Sequence, residues 1–352
     1  MSFDPHNVDL DTVDPAAVVC YLNADGNDYD GRLGARISAI FVILVVSTAA
    51  TFFPVIAQRA PRIRIPLYVY LFVKYFGAGV IVATAFIHLL DPAYSEIGSG
   101  SCVGMTGHWA DYSWCPAIVL TSLMLIFLLD FGAERYVEVK YGLCREDPEP
   151  IMASGVEIQQ VNSRHSHPRS HDKQVKQLEE QLSNDTDIER SFRQQIAAFL
   201  ILEFGVIFHS VIIGLNLGVT GAEFATLYPV LVFHQSFEGL GIGARMSAIP
   251  FKKSSRLPWI LCTIYGLTTP ISIAIGLGVR TTYNPASFTA NVVSGVLDSI
   301  SAGILIYTGL VELLARDFLF DPHRTQDDKR LTFMVVSLLL GAALMALLGK
   351  WA

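Results

Sequence analysis

Ligand-type side chains sit in two consecutive apolar stretches that are otherwise suited to lipid. The first, AAFLILEFGVIFHSVIIGLNLGV (197–219), carries Glu203, His209, Ser210 and Asn216. The second, LYPVLVFHQSFEGLGIGA (227–244), carries His234, Gln235 and Glu238. At about 100° per residue, His209 and Asn216 share one helical stripe, and Glu203 and Ser210 share the adjacent one. His234 and Glu238 are i, i+4 neighbours on one face, with Gln235 beside them. Imidazole, carboxylate and amide oxygen form a borderline donor set that suits Zn²⁺ and also accepts Fe²⁺ or Mn²⁺. Without thiolate, such a set holds an ion less tightly than a structural Cys₄ site, as a carrier requires. Ionisable groups in a membrane helix are expensive and mark functional sites. The spacing therefore predicts a metal site made by His209, His234 and Glu238, with Gln235 beside them.

Further acidic and imidazole groups are weaker candidates. Glu312 and Asp298 lie fourteen residues apart on the seventh apolar run, so at about 100° per residue they line one face. Glu312 is a candidate second ligand or exit-side relay. Asp298, His88, Glu203 and Asn216 are candidate entrance or exit groups, His88 being placed at the outer end of the second run. His165, His167 and His171 form a loose cluster in a polar segment, which fits either a regulatory metal role or chance occurrence in a polar loop.

The elements that must position these groups follow from the hydropathy. Of 352 residues, 52% are hydrophobic and only 16% charged, and the mean hydropathy is +0.44. A soluble chain carries about a quarter charged residues. A bilayer core about 30 Å thick needs about 20 apolar residues per helix. Eight runs meet that length: 34–57, 67–90, 116–139, 194–219, 224–246, 257–279, 290–314 and 331–349. Pro66, Pro116, Pro258 and Pro285 stand at or before helix starts, where a missing N–H matters little. Pro54 and Pro270 fall inside runs. The expectation is an all-α polytopic membrane protein with eight transmembrane helices.

Basic residues cluster in alternate loops. Arg59, Arg62 and Arg64 follow the first run, Lys252, Lys253 and Arg256 the fifth, and Arg316, Arg324, Lys329 and Arg330 the seventh. Lys and Arg stay on the cytoplasmic side, which predicts that both termini are extracellular. The chain then divides into an acidic extracellular tail (1–33), helices one to three (34–139), a largely disordered cytoplasmic loop (140–193) with a short helix near Val175–Leu182, and helices four to eight with the metal site (194–352). The tail lacks the basic, apolar and small-residue succession of a cleaved signal peptide. The net charge of −7 brings no basic patch for nucleic acid. Cys20, Cys102 and Cys115 fall on one side and offer more than one disulfide pairing.

At HSVIIGLNLG, HQSFEGLGIG and SAGILIYTGLVELLARDF, the chain resembles the ZIP family of metal transporters, and within it the fungal zinc-uptake branch. The resemblance covers essentially all eight runs. It implies zinc import into the cytosol by alternating access, a homodimer, and spans 1, 4, 5 and 6 moving against 2, 3, 7 and 8. It places the central ligands on His209, His234, Gln235 and Glu238, with Ser210 adjacent and Glu312 at a family acidic position. Relatives with two bridged ions use further ligands at positions that here are Ile213, Thr269 and Val311, so one central ion is expected. An uptake role points to the plasma membrane, and no cofactor is required beyond the transported ion. Two other readings remain: a carrier of Fe²⁺ or Mn²⁺ with the same fold, and a membrane metal sensor. The HExxH helix of a zinc protease does not occur, so an enzyme is not expected.

Overall fold

The computed structural model of the chain describes residues 9, 12–23, 29–60, 65–141, 170–252, 254–320 and 324–351. Among these the architecture is all helical. A short helix α1 (Pro15–Asn23) precedes α2 (Leu33–Arg59), α3 (Leu67–Ile97), α4 (Trp114–Tyr141), α5 (Ser170–Val219), α6 (Phe224–Ala248), α7 (Leu257–Val279), α8 (Phe288–Phe320) and α9 (Asp328–Leu348). Two of them loosen into the wider π-helical pitch, α3 over Thr84–Leu90 and α8 over Thr308–Phe320. Such stretches recur at functional sites, and these two carry His88 and Glu312.

Seven helices (α2, α3, α4, α5, α7, α8 and α9) are long and apolar enough to cross a membrane. With 25 residues α6 has the length, but His234, Gln235 and Glu238 interrupt its apolar run. The shortfall in apolarity is thus produced by the candidate site itself. Leu120, Met124 and Leu125 on α4 and Phe41 and Val45 on α2 are exposed, as lipid-facing positions are.

Two sets of helices emerge from the packing. In the first, α2 lies along α6 and α7, and Gly214 and Gly218 of α5 sit against Ser272 and Leu277 of α7. In the second, α3 lies along α9 and touches α8, and Gly303 of α8 meets Ser122 of α4. These are the two groups expected from the family resemblance. The seam between them includes the α3–α6 contact, where a Cβ on Gly241 would stand 2.9 Å from the Cα of Gly77. Only glycine permits that approach. Phe76 and Phe237 close the seam edge to face at 5.4 Å. The Gly239/Gly243 face turns instead to Thr51 of α2.

Arg36, near the start of α2, is completely buried. Its guanidinium donates to the carbonyls of Leu217 (3.0 Å), Gly218 (3.2 Å) and Thr220 at the C-terminus of α5. It also donates to Asp30 Oδ1 at 2.9 Å, while Nε donates to the Gly31 carbonyl at 3.0 Å. The rings of Tyr29 and Phe224 lie 4.7 and 4.5 Å from it. The last carbonyls of a helix have no partner within the helix, and a cation there also meets the negative end of its dipole. Arg36 fulfils both roles for α5.

Of the three cysteines expected on one side, Cys20 and Cys102 are joined. Cys115 remains a buried thiol, accepting from Ser299 Oγ at 3.6 Å. Pro54 and Pro270 lie inside helices as read from the sequence, and so does Pro229. The described chain divides into two compact units, one of Met1–Phe127 with Ala198–Ala352 and the other of Leu128–Ala197. Within 140–193, helix extends from Ser170 onward, well beyond Val175–Leu182. The run DKQVKQLEEQL supplies strong helix formers throughout.

Candidate metal centre

His209 projects from α5 and His234 and Glu238 from α6, all three buried. The two Nε2 atoms are 3.3 Å apart, and His234 Nε2 lies 3.9 Å from Glu238 Oε2. One ligand atom from each residue falls within a common 4.8 Å span. Two nitrogens each about 2.0–2.1 Å from a tetrahedral Zn²⁺ stand about 3.3–3.4 Å apart. The imidazole pair has that separation, and the carboxylate needs only a small inward shift to join it.

Unmet polar atoms surround the same point. His234 Nδ1, Glu238 Oε1, Gln235 Nε2 and Ser210 Oγ are buried without a hydrogen-bond partner among the described residues. Buried polar atoms are almost always paired, so several orphans around one trio call for a polar occupant. A divalent cation can meet Glu238 Oε1 directly, whereas Gln235 Nε2 and, with Nε2 as the ligand atom, His234 Nδ1 are N–H donors that need an acceptor such as water.

The π-helical stretch of α3 brings His88 to the edge of this trio. Its ring meets that of His234 edge to face at 4.8 Å, and its Nε2–H donates to the Met345 carbonyl at 3.0 Å. That donor role fixes the tautomer and leaves Nδ1 as the acceptor. Helix α3 runs on to Ile97 rather than ending near residue 90, so His88 lies deeper than an outer-end position.

The remaining candidates are not part of the trio. Glu312 is buried on α8, and its Oε2 pairs with Arg316 Nη1 at 2.7 Å and Arg245 Nη2 at 3.8 Å. Asp298 is buried with Oδ1 lacking a hydrogen-bond partner, and Glu203 is buried with neither oxygen so partnered. Asn216 is half-buried toward the end of α5, where its carbonyl accepts from Thr220. His165 and His167 lie outside the described residues; His171 belongs to the first turn of α5, and its side chain lies outside them too.

Tyr265 on α7 was not singled out by the sequence. Its hydroxyl stands 3.1 Å from Glu238 Oε2 and 3.2 Å from Gln235 Oε1, completely buried. A tyrosine in an apolar run looks like packing, and its mid-span position was the available signal. Those contacts suit a positioning residue for the carboxylate. Outer-shell partners of metal ligands are worth about 10–100-fold in affinity. Tyr265→Phe is therefore expected to raise the half-saturating zinc concentration for uptake about tenfold. An unchanged concentration dependence would remove that role.

Helices long and apolar enough to cross a bilayer, with imidazole and carboxylate converging between α5 and α6, define a polytopic membrane protein with a buried cluster that fits a metal ion. A family model described as "ZIP Zinc transporter" matches residues 33–349, and the chain belongs to that family. It is 58% identical to zinc-regulated transporter 1 of Saccharomyces cerevisiae, with 99% of this chain and 97% of that protein aligned. Zinc-regulated transporter 1 of Schizosaccharomyces pombe is 40% identical over 96% of this chain and 90% of its own length. Zinc-regulated transporter 2 of S. cerevisiae is 34% identical over 98% of this chain and 100% of its own length.

Proposed function

We propose that the chain imports Zn²⁺ into the cytosol by alternating access through the site between α5 and α6. The observation that carries this reading is the buried convergence of His209, His234 and Glu238, in a family whose similar members are named for zinc transport. Gln235 and Ser210 complete the ligand shell. Imidazole and carboxylate replace hydration water on one side and surrender the ion on the other. One ion occupies the centre, since Ile213, Thr269 and Val311 add no charged ligand.

In the same reading the molecule has eight spans, α6 included, with both termini, the acidic tail 1–33 and the 91–115 loop outside. The 140–193 segment lies in the cytosol, between helices one to three (34–139) and helices four to eight with the site (194–352). A Cys20–Cys102 bond supports the outer placement of tail and loop, since disulfides persist in oxidising compartments. The working membrane is the plasma membrane and the working unit a homodimer. Asp298, Glu203, Asn216 and His88 line the approaches, Glu312 serves the exit, and His165, His167 and His171 sense cytosolic metal. No resident cofactor is needed.

Purified protein in sealed vesicles carrying an internal zinc dye tests the reading. Zinc influx is expected, with Fe²⁺ and Mn²⁺ as weaker competitors. Binding without influx would make the chain a sensor, and stronger competition by Fe²⁺ or Mn²⁺ would reassign the cargo.

A further inference from the structure

We propose that Arg245 on α6 and Glu312 on α8 form a charge clamp closing the route from the central site toward the basic-loop end, so that release of the ion requires the clamp to part. The proposal rests on the reading of α5 and α6 as the cation site.

Arg245 follows Glu238 by seven residues on one helix, about two turns and about 10 Å further along the same face. An ion leaving His234 and Glu238 along α6 therefore meets Gly241 and then a guanidinium. That guanidinium is only 12% exposed, and it stands 3.8 Å from the carboxylate of Glu312, itself 3% exposed. A divalent cation cannot pass a buried positive charge without displacing it or its counterion.

Little open space remains at this level. The crevice lined by Lys74, Ala78, Gly241, Arg245, Leu313 and Asp317 offers about 10 Å³, about one water's worth of room. On either side of Arg245 in sequence, Ala244 and Ser247 line a cavity of about 380 Å³ shared with Pro54 and Tyr70. Arg245 thus stands between the packed crevice and a neighbouring vestibule.

The ion pairs divide by what they join. Lys74 Nζ meets Asp317 Oδ2 at 2.6 Å, and that bond ties α3 to α8 within one helix set. Arg316 and Glu312, at 2.7 Å, lie on a single helix. The Arg245–Glu312 pair crosses from one set to the other and is the longest of the three. If the sets slide, the crossing pair breaks while the other two persist. Glu312 keeps Arg316 as its neighbour when Arg245 withdraws, and a carboxylate so held is free to meet an outgoing cation. One carboxylate thereby alternates between a guanidinium and the cargo.

Site-directed thiol labelling tests this. In full-length Cys144→Ser protein reconstituted in vesicles, Ala78→Cys reports access to the crevice by an impermeant maleimide added at the basic-loop face. Labelling of the same chain without Ala78→Cys is subtracted. Arg245→Met is expected to speed modification at least tenfold, and Arg245→Lys to keep it slow. Should Arg245→Met fail to fold, Glu312→Gln breaks the same pair and is expected to act alike. Equal labelling rates in the parent chain and both clamp-breaking variants would overturn the proposal. Zinc binding to each variant is followed by calorimetry. Loss of binding in the parent chain would sink the zinc reading and leave the labelling comparison standing.

Discussion

Alanine in place of His234 lowers zinc uptake by at least about 100-fold, with the protein still inserted and folded. Outer-shell groups alone are worth about 10–100-fold, and the proposed site makes His234 an inner ligand. Its Nε2 is common to both close distances in the trio, 3.3 Å to His209 and 3.9 Å to Glu238. Removing it leaves one imidazole and one carboxylate with no nitrogen between them, too few donors to replace hydration. The ring also backs against His88 at 4.8 Å, so the void opens toward a second imidazole. His88→Ala is expected to be milder on its own, because that ring is engaged with Met345. The measurement is initial-rate zinc influx in vesicles, normalised to monodisperse protein. Wild-type influx from His234→Ala would remove the site from this place.

Arg36→Met gives the largest expected loss of stability. Methionine fills much of the arginine stem's volume but donates to nothing. The carbonyls of Leu217, Gly218 and Thr220 then lose their donor in a buried setting. Hydrogen bonds to charged groups contribute about 1.5–3 kcal/mol each. Breaking one side of a buried charged network costs about 3–5 kcal/mol. A fall of that order, seen as a lower melting temperature in detergent and a smaller monodisperse fraction, is the expected result. An unchanged melting temperature would show that water replaces the guanidinium without loss. The effect reaches the metal centre, because Arg36 holds the end of the helix that carries His209.

His209, His234 and Glu238 could be read directly because ionisable residues stand out against apolar runs. Helical spacing then assigns them to faces without any tertiary information. Helix existence was equally plain, since length and hydropathy decide it. What stayed hidden depends on which helices are neighbours. Tyr265 matters only because α7 lies beside α6, and Arg245 has a counterion only because α8 does. Depth was misjudged where a helix outran its most apolar stretch. His88 looked peripheral because the run was taken to close near residue 90, whereas α3 continues through Asp91 and Glu96 to Ile97. Gly241 and Gly77 likewise gave no signal, because a glycine in an apolar run marks a close approach only once its neighbouring helix is known.

The cystine between Cys20 and Cys102 bears on how the chain is made. Its halves stand 82 positions apart in the sequence, with both α2 and α3 between them. In the proposed topology the two thiols meet only after those helices have been threaded through the translocon as a hairpin, with both sulfurs delivered to the lumen. A nascent chain inserted upside down would present the same pair to a reducing face and leave them as thiols. On that topology the bond records, in a form an oxidoreductase can read, that the first hairpin went in the right way round.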